Sequence, residues 1–237
     1  MVEKGALRVD RIPVGPLSTN CYVVWREGSS VAAVIDPAAH AERIAGRLEQ
    51  NGLTCGAIIN THGHPDHIGA NGALRRLTGA RVYVGAEDSH MLACPDDVFR
   101  VLARSGGDGD KLDADEVVVG GDRVSVGEVE FHVLATPGHT PGGVSLWLEG
   151  DLAVFSGDTL FKMGVGRTDF AGGDEAALFD SIYRVLFSLD KSTKVYPGHG
   201  PDTTIAAEMA WHGRSHSRSL PHQKVYLKSD SLPHVVR

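Results

Sequence analysis

Between His62 and His67 the chain reads His-Gly-His-Pro-Asp-His, three histidines and an aspartate within six residues. Imidazole nitrogen and carboxylate oxygen are donors that zinc accepts. On an extended stretch alternate residues point to the same side, so His62 and His64 face one point. Pro65 bends the chain and aims Asp66 and His67 at a second, so one loop can serve two cations. Three further segments present a donor on a turn behind a strand: Thr136-Pro137-Gly138-His139-Thr140-Pro141-Gly142-Gly143, Ser156-Gly157-Asp158-Thr159 and Tyr196-Pro197-Gly198-His199-Gly200. Taken singly, His139, Asp158 or His199 would more often be a turn residue. Beside the 62–67 cluster they read as a metal site, because the backbone must approach a cation closely while the ring is aimed inward. His40, His90 and His132 lack such turns and read as ordinary surface or core residues. Cys21, Cys55 and Cys94 form no CxxC pair and read as small apolar fillers.

The elements that must hold these turns follow from hydrophobic period and turn residues. Leu7 to Ile12, Thr19 to Trp25 and Val31 to Ile35 are β-rich runs separated by Gly, Pro and Ser. A helix is predicted over 38–50, with Ile44 and Leu48 on one face and a stop at Asn51-Gly52. A short apolar strand, Ala57 to Asn60, delivers the histidine cluster. A helix from Ile68 to Leu77 and a strand from Arg81 to Val84 follow. In the second half strands are predicted at Val117–Val119, Arg123–Val126 and Val129–Ala135, the last alternating with Val129, Phe131, Val133 and Ala135 on its buried face. Val144–Leu148 and Leu152–Ser156 form a hairpin, Glu175–Phe187 a helix, and Lys194–Tyr196 a strand that opens onto His199. Two blocks of strands, each with helices, fit two stacked sheets with helices outside.

Composition bounds the function. The chain has 237 residues, 42% hydrophobic and 22% charged, with 29 glycines and a net charge of −7. That suits a folded α/β chain, and the acidic balance with no basic stripe in the first 200 residues argues against a nucleic-acid substrate. The N-terminus has no apolar core of a signal peptide, and no run of about 18 apolar residues would span a membrane. A cytoplasmic protein with a small-molecule substrate is the expectation. The sequence leaves the oligomeric state open. Residues 207–237 hold five Lys or Arg against two acids and include His212, His216, His222 and His234. This stretch is expected to be a basic tail or terminal helix, separate from a catalytic domain spanning 1–206.

The ordered set HxHxDH, His139, Asp158 and His199 resembles the metallo-β-lactamase superfamily, over about Leu7 to Glu208. The resemblance implies a four-layer αββα sandwich with the site at one edge of both sheets. Within the superfamily the chain is most similar to short glyoxalase II-like (hydroxyacylglutathione hydrolase-like) enzymes. The shared stretches are Asp158-Thr159-Leu160-Phe161, Gly166-Arg167-Thr168-Asp169-Phe170, Thr203-Thr204-Ile205 and Asn20-Cys21-Tyr22. By that resemblance His62, His64 and His139 hold a first divalent cation and Asp66, His67 and His199 a second. Asp158 bridges them together with a water. Zinc is the expected metal, with iron or manganese as alternatives. Arg167 and Asp169 either touch substrate or brace the loop.

Two such cations lower the pKa of a shared water from 15.7 to about 7, so hydroxide is available to attack a thioester or ester carbonyl. Asp66 is the candidate catalytic residue that holds the nucleophile's proton. Thiols have a pKa near 8.5, roughly, so a thiolate leaves readily and a thioester is an easy substrate. The chain departs from glyoxalase II in its end: 38 residues follow His199, without a clear helical glutathione-binding domain. Rival readings are a mononuclear iron persulfide dioxygenase using residues 62, 139 and 158, a lactonase, and a non-catalytic metal-binding interaction domain. An aspartate at 158 argues against the commonest β-lactamases, which have cysteine there. Histidine at 64 argues against flavodiiron proteins, which have glutamate.

Overall fold

A computed structural model describes residues 5–93 and 112–217, the side chains of 215–217 excepted. Cys94, His222 and His234 lie outside the described residues. The first sheet carries six strands in sequence order: β1 (Leu7–Val14), β2 (Thr19–Arg26), β3 (Val31–Ile35), β4 (Thr54–Ile59), β5 (Arg81–Gly85) and β6 (Glu116–Val118). The first three are antiparallel; β3 to β6 run parallel. Parallel neighbours need crossovers, supplied by α1 (Ala41–Gln50) and by α2 (Pro65–Ile68) with α3 (Asn71–Thr78); a short helix, α4 (Ser89–Ala93), follows β5.

The second sheet is built from β7 (Arg123–Val126), β8 (Val129–Ala135), β9 (Val144–Leu148), β10 (Ala153–Gly157), β13 (Lys194–Pro197) and β14 (Thr203–Thr204), in the spatial order β14-β13-β10-β9-β8-β7. A two-stranded hairpin, β11 (Leu160–Phe161) and β12 (Gly164–Val165), stands apart. Helices α5 (Glu175–Asp180) and α6 (Ile205–Ser217) cover this sheet's outer face.

Alternation along β2 explains the layering. Cys21 and Val23 turn to the helix side, where Ile44, Leu48 and Leu74 pack. Tyr22 and Val24 turn inward, against Phe131, Leu146 and Phe155 of the other sheet. Val154 and Val195 form a third layer with Leu178, Ile182 and Ile205. The result is the αββα sandwich expected.

Differences lie at element ends. Helix α1 starts three residues later than the pattern suggests, because Asp36 and His40 both take positive φ, 51° and 60°, to turn the chain off β3. The helix expected over 68–77 is broken between Ile68 and Asn71, where the Ala70 amide bonds to the Pro37 carbonyl at 2.9 Å. The helix expected over 175–187 widens to a π-helical turn at Ser181–Val185. The division drawn after residue 206 falls inside α6, which packs onto the body: Glu208 and His212 are buried. Cys21 and Cys55 are buried free thiols. Among the described residues no helix is long and apolar enough to cross a membrane.

Candidate metal centre

The four donor-bearing turns meet at the edge where β4, β8, β10 and β13 end. Their donor atoms form three overlapping groups: His62, His64 and His139; His62, His67 and Asp158; Asp66, His67 and His199. Within each group the ligand atoms lie within 4.8 Å of one another. Local structure explains the aim. His62 and His64 precede Pro65, which occupies the first turn of α2, where its missing N–H costs nothing. Asp66 and His67 therefore sit on a helical turn and point elsewhere.

Three of the histidines are oriented by the nitrogen they do not offer. His139 donates through Nδ1 to the Arg167 carbonyl at 2.7 Å, and His199 through Nδ1 to the Leu17 carbonyl at 3.2 Å. His67 Nδ1 lies 3.0 Å from Asp36 Oδ2, and a carboxylate can only accept there. Those bonds aim Nε2 of His67, His139 and His199 at the centre, where each can offer a lone pair to a cation once it carries no proton. His64 instead faces inward with Nδ1, 2.8 Å from His139 Nε2.

Asp158 lies between the groups. Its Oδ1 is 3.4 Å from His67 Nε2, and its Oδ2 is 3.6 Å from His139 Nε2 and 3.5 Å from His199 Nε2. Asp66 Oδ2 is 3.3 Å from His199 Nε2. Gly198 is required by this crowding: a Cβ there would strike Asp158 Oδ1 and the His67 ring.

The site fits cations on its own chemistry. His62 Nε2 and Asp158 Oδ1 are buried and make no hydrogen bond, which is costly unless another partner is bound. The facing lone pairs of His64 and His139 repel unless a cation or proton stands between them. Charge is divided unevenly. Burial pushes His62 well below the usual imidazole range and takes His64 to about 4, with neighbouring imidazoles adding to it. For His67, burial works downward but Asp158, Asp36 and Asp66 outweigh it and hold the ring well above its usual range. His199 is raised in the same way, burial being outweighed by Asp158 and Asp66. For Asp66 burial works upward and His67 and His199 outweigh it; for Asp158 burial is outweighed by His199 and His67. Both carboxyls end well below the usual carboxylate range.

Arg167 and Asp169 pair with each other at 2.9 Å on the exposed lip. The Arg167 carbonyl is the group that His139 Nδ1 bonds to. The guanidinium stacks 4.4 Å over Phe170, whose ring stands 5.5 Å from that of His64 and remains 46% exposed. His40, His90 and His132 lie outside the donor groups.

Asp36 has no place in the sequence reading yet is central here. It accepts from the Thr61 amide at 2.8 Å and the Thr61 hydroxyl at 2.7 Å as well as from His67. Asn60 and Asn71 also pair, and the Asn60 amide reaches the His67 carbonyl at 3.3 Å. The one local signal for Asp36 was an aspartate directly after a buried strand and before a proline.

This fold recurs in known proteins. A family model described as the metallo-beta-lactamase superfamily matches residues 14–199. An uncharacterised protein of Aquifex aeolicus is 40% identical over 200 residues, covering 84% of this chain and 93% of its own. A hydroxyacylglutathione hydrolase, GloC, of Haemophilus influenzae is 33% identical over 208 residues, 85% of this chain and 95% of its own. Among solved structures, BLEG-1, named a B3 metallo-beta-lactamase, has a TM-score of 0.79 at 37% identity, covering 86% of this chain and 97% of its own. TTHA1623, solved in a di-iron-bound form, has a TM-score of 0.75 at 34% identity, covering 84% and 96%. With the family model matching residues 14–199 and relatives 33–40% identical over most of both chains, the chain belongs to the metallo-beta-lactamase superfamily.

Proposed function

We propose that the protein is a binuclear metal-dependent hydrolase that cleaves a thioester or ester carbonyl. His62, His64 and His139 hold one cation, Asp66, His67 and His199 the other, and Asp158 reaches both. Two divalent cations so held supply Lewis acidity, lowering the pKa of a water and polarising a carbonyl oxygen. The observation that carries this reading is the set of three overlapping donor groups, each within 4.8 Å, with the buried His62 Nε2 making no hydrogen bond.

The chain's own residues do the rest. Asp36 and the Arg167 and Leu17 carbonyls fix which ring nitrogen faces inward, so the rings need little reorganisation when they bind. Asp66 is held ionised at neutral pH. A carboxylate of that low basicity orients a nucleophile's proton by accepting a hydrogen bond at Oδ2 rather than removing it. Phe170, exposed beside His64, offers an apolar wall to the acyl or thiol part of a substrate. A thiolate is a weak base, its thiol titrating near 8.5, roughly, so it can depart from the carbonyl carbon before it takes up a proton from water.

Support for the thioester comes from the Haemophilus relative's name, hydroxyacylglutathione hydrolase. The His/Asp donors suit zinc best, and the di-iron form of TTHA1623 makes iron the alternative. The name of BLEG-1 adds a β-lactam to the substrates worth assaying, even with aspartate at 158. The test is metal analysis together with a panel of thioester, ester, lactone, β-lactam and persulfide substrates. Two metals per chain and fastest turnover on S-D-lactoylglutathione or another thioester are expected. One iron per chain with oxygen uptake on glutathione persulfide would replace this reading with the dioxygenase.

A further inference from the structure

We infer that Asp88 is a positioning residue that clamps together the two turns carrying the first cation's three histidines; this rests on the two-cation reading above. Asp88 ends a 3-10 turn (Ala86–Asp88) between β5 and α4, and it is fully buried. Its carboxylate accepts three hydrogen bonds from neutral donors. Oδ2 takes the Gly63 amide at 2.9 Å and the Thr140 hydroxyl at 2.7 Å. Oδ1 takes the Gly142 amide at 2.7 Å.

The positions of those donors give the role. Gly63 separates His62 from His64, and Thr140 follows His139 directly. The carboxylate thus joins the 62–64 stretch to the 139–142 turn, segments more than seventy residues apart in sequence whose histidines form one donor group. The joint is close-fitting: a Cβ at Gly142 would strike the Asp88 amide and Oδ1, and one at Gly85 would strike the Gly142 carbonyl. Neither turn carrying the second group, at 66–67 or at 199, donates to Asp88 among the hydrogen bonds seen. A clamp of this kind sets the spacing of His64 Nδ1 and His139 Nε2, which stand 2.8 Å apart. Asparagine cannot replace it. Each carboxylate oxygen faces a backbone N–H, so whichever way an amide is turned its NH2 meets a donor.

The test is cobalt titration of metal-free wild type, Asp88→Asn and Thr140→Val, followed by visible absorption. The transition missing in His64→Ala marks the first position. In Asp88→Asn we expect affinity there to fall about 10–100-fold, the size typical when a group supporting a metal ligand is lost. Affinity at the other position is expected to stay at the wild-type value. Thr140→Val, which keeps the carboxylate and two of its donors, should lose less at the same position and serves if Asp88→Asn does not fold. Equal weakening at both positions would mean a general structural role and overturn the inference, as would unchanged affinity in both variants. A wild-type protein with no cobalt transition that His64→Ala removes would overturn the metal-centre reading itself. That result is separate from any outcome in the variants.

Discussion

Asp36→Asn is the substitution whose effect the geometry specifies most fully. Asp36 Oδ1 accepts from the Thr61 amide, and Oδ2 accepts from the Thr61 hydroxyl and His67 Nδ1. An asparagine that keeps its oxygen on the Thr61 amide turns its NH2 toward His67 Nδ1. The ring must then accept at Nδ1 and carry its proton on Nε2. That is the atom within 3.4 Å of Asp158 Oδ1 and 3.3 Å of His199 Nε2, so His67 is lost as a donor while every backbone position is kept. Hydrogen bonds to a carboxylate contribute about 1.5–3 kcal/mol each. Two are disrupted, so the metal-free protein should lose about 3–6 kcal/mol, less if the Thr61 hydroxyl reverses to accept. Metal affinity at the Asp66, His67 and His199 position should fall about 10–100-fold, or about 1.4–2.7 kcal/mol. The His62, His64 and His139 position should hardly change. Competition against a chelator of known affinity reads both positions, and urea unfolding reads the stability. Two cations bound with wild-type affinity in a stable Asp36→Asn protein would refute the tautomer argument.

Other consequences follow from the same geometry. His64→Ala and Asp158→Ala should each cut thioester hydrolysis more than about tenfold, since each removes a cation-facing donor; circular dichroism should show the fold intact, and retained activity in both would contradict the assignment. Acidification should weaken the metal-free protein. The folded pKa of His64, about 4, lies below the unfolded value near 6.5, so its contribution is fully present above 6.5 and is lost as pH falls toward 4. That difference is worth about 3 kcal/mol. His67 has the opposite sign: its raised pKa contributes below 6.5 and is lost as pH rises through the folded value. Zinc loading near pH 7 must therefore displace a proton from His67, visible as a buffer-dependent heat in calorimetry; a heat independent of buffer would contradict this. Truncation after residue 206 should destabilise the protein markedly, because it removes Glu208, which accepts from the Thr203 hydroxyl at 2.6 Å and the Met163 amide at 2.8 Å. Truncation after residue 217 should leave metal content unchanged, which elemental analysis would check.

The donor set was legible in the sequence because each member sits on a Gly- or Pro-marked turn at a strand end, a local pattern. The sandwich was legible because the strands fall in two blocks, each with helices, and because β8 alternates between buried and partly exposed positions. What escaped is non-local. Asp36 serves His67 across 31 residues and Asp88 serves Thr140 across 52, and neither has a spacing that marks it. Their importance comes from burial and from donors that only the fold brings near. A terminal helix was one of the two expectations for the end of the chain; what its charge hid is the packing of that helix, for Glu208 and His212 are buried and His212 Nδ1 lies 3.0 Å from the Tyr183 hydroxyl. The breaks at Gly69–Ala70 and Ser181 likewise answer to packing rather than to propensity.

The central claim is that four separate turns enclose a pair of cations, and anomalous diffraction from zinc-loaded crystals addresses it directly. Two zinc peaks are expected, one ligated by His62, His64 and His139 and the other by Asp66, His67 and His199, with Asp158 touching both. A single peak, or peaks away from these seven side chains, would contradict the account.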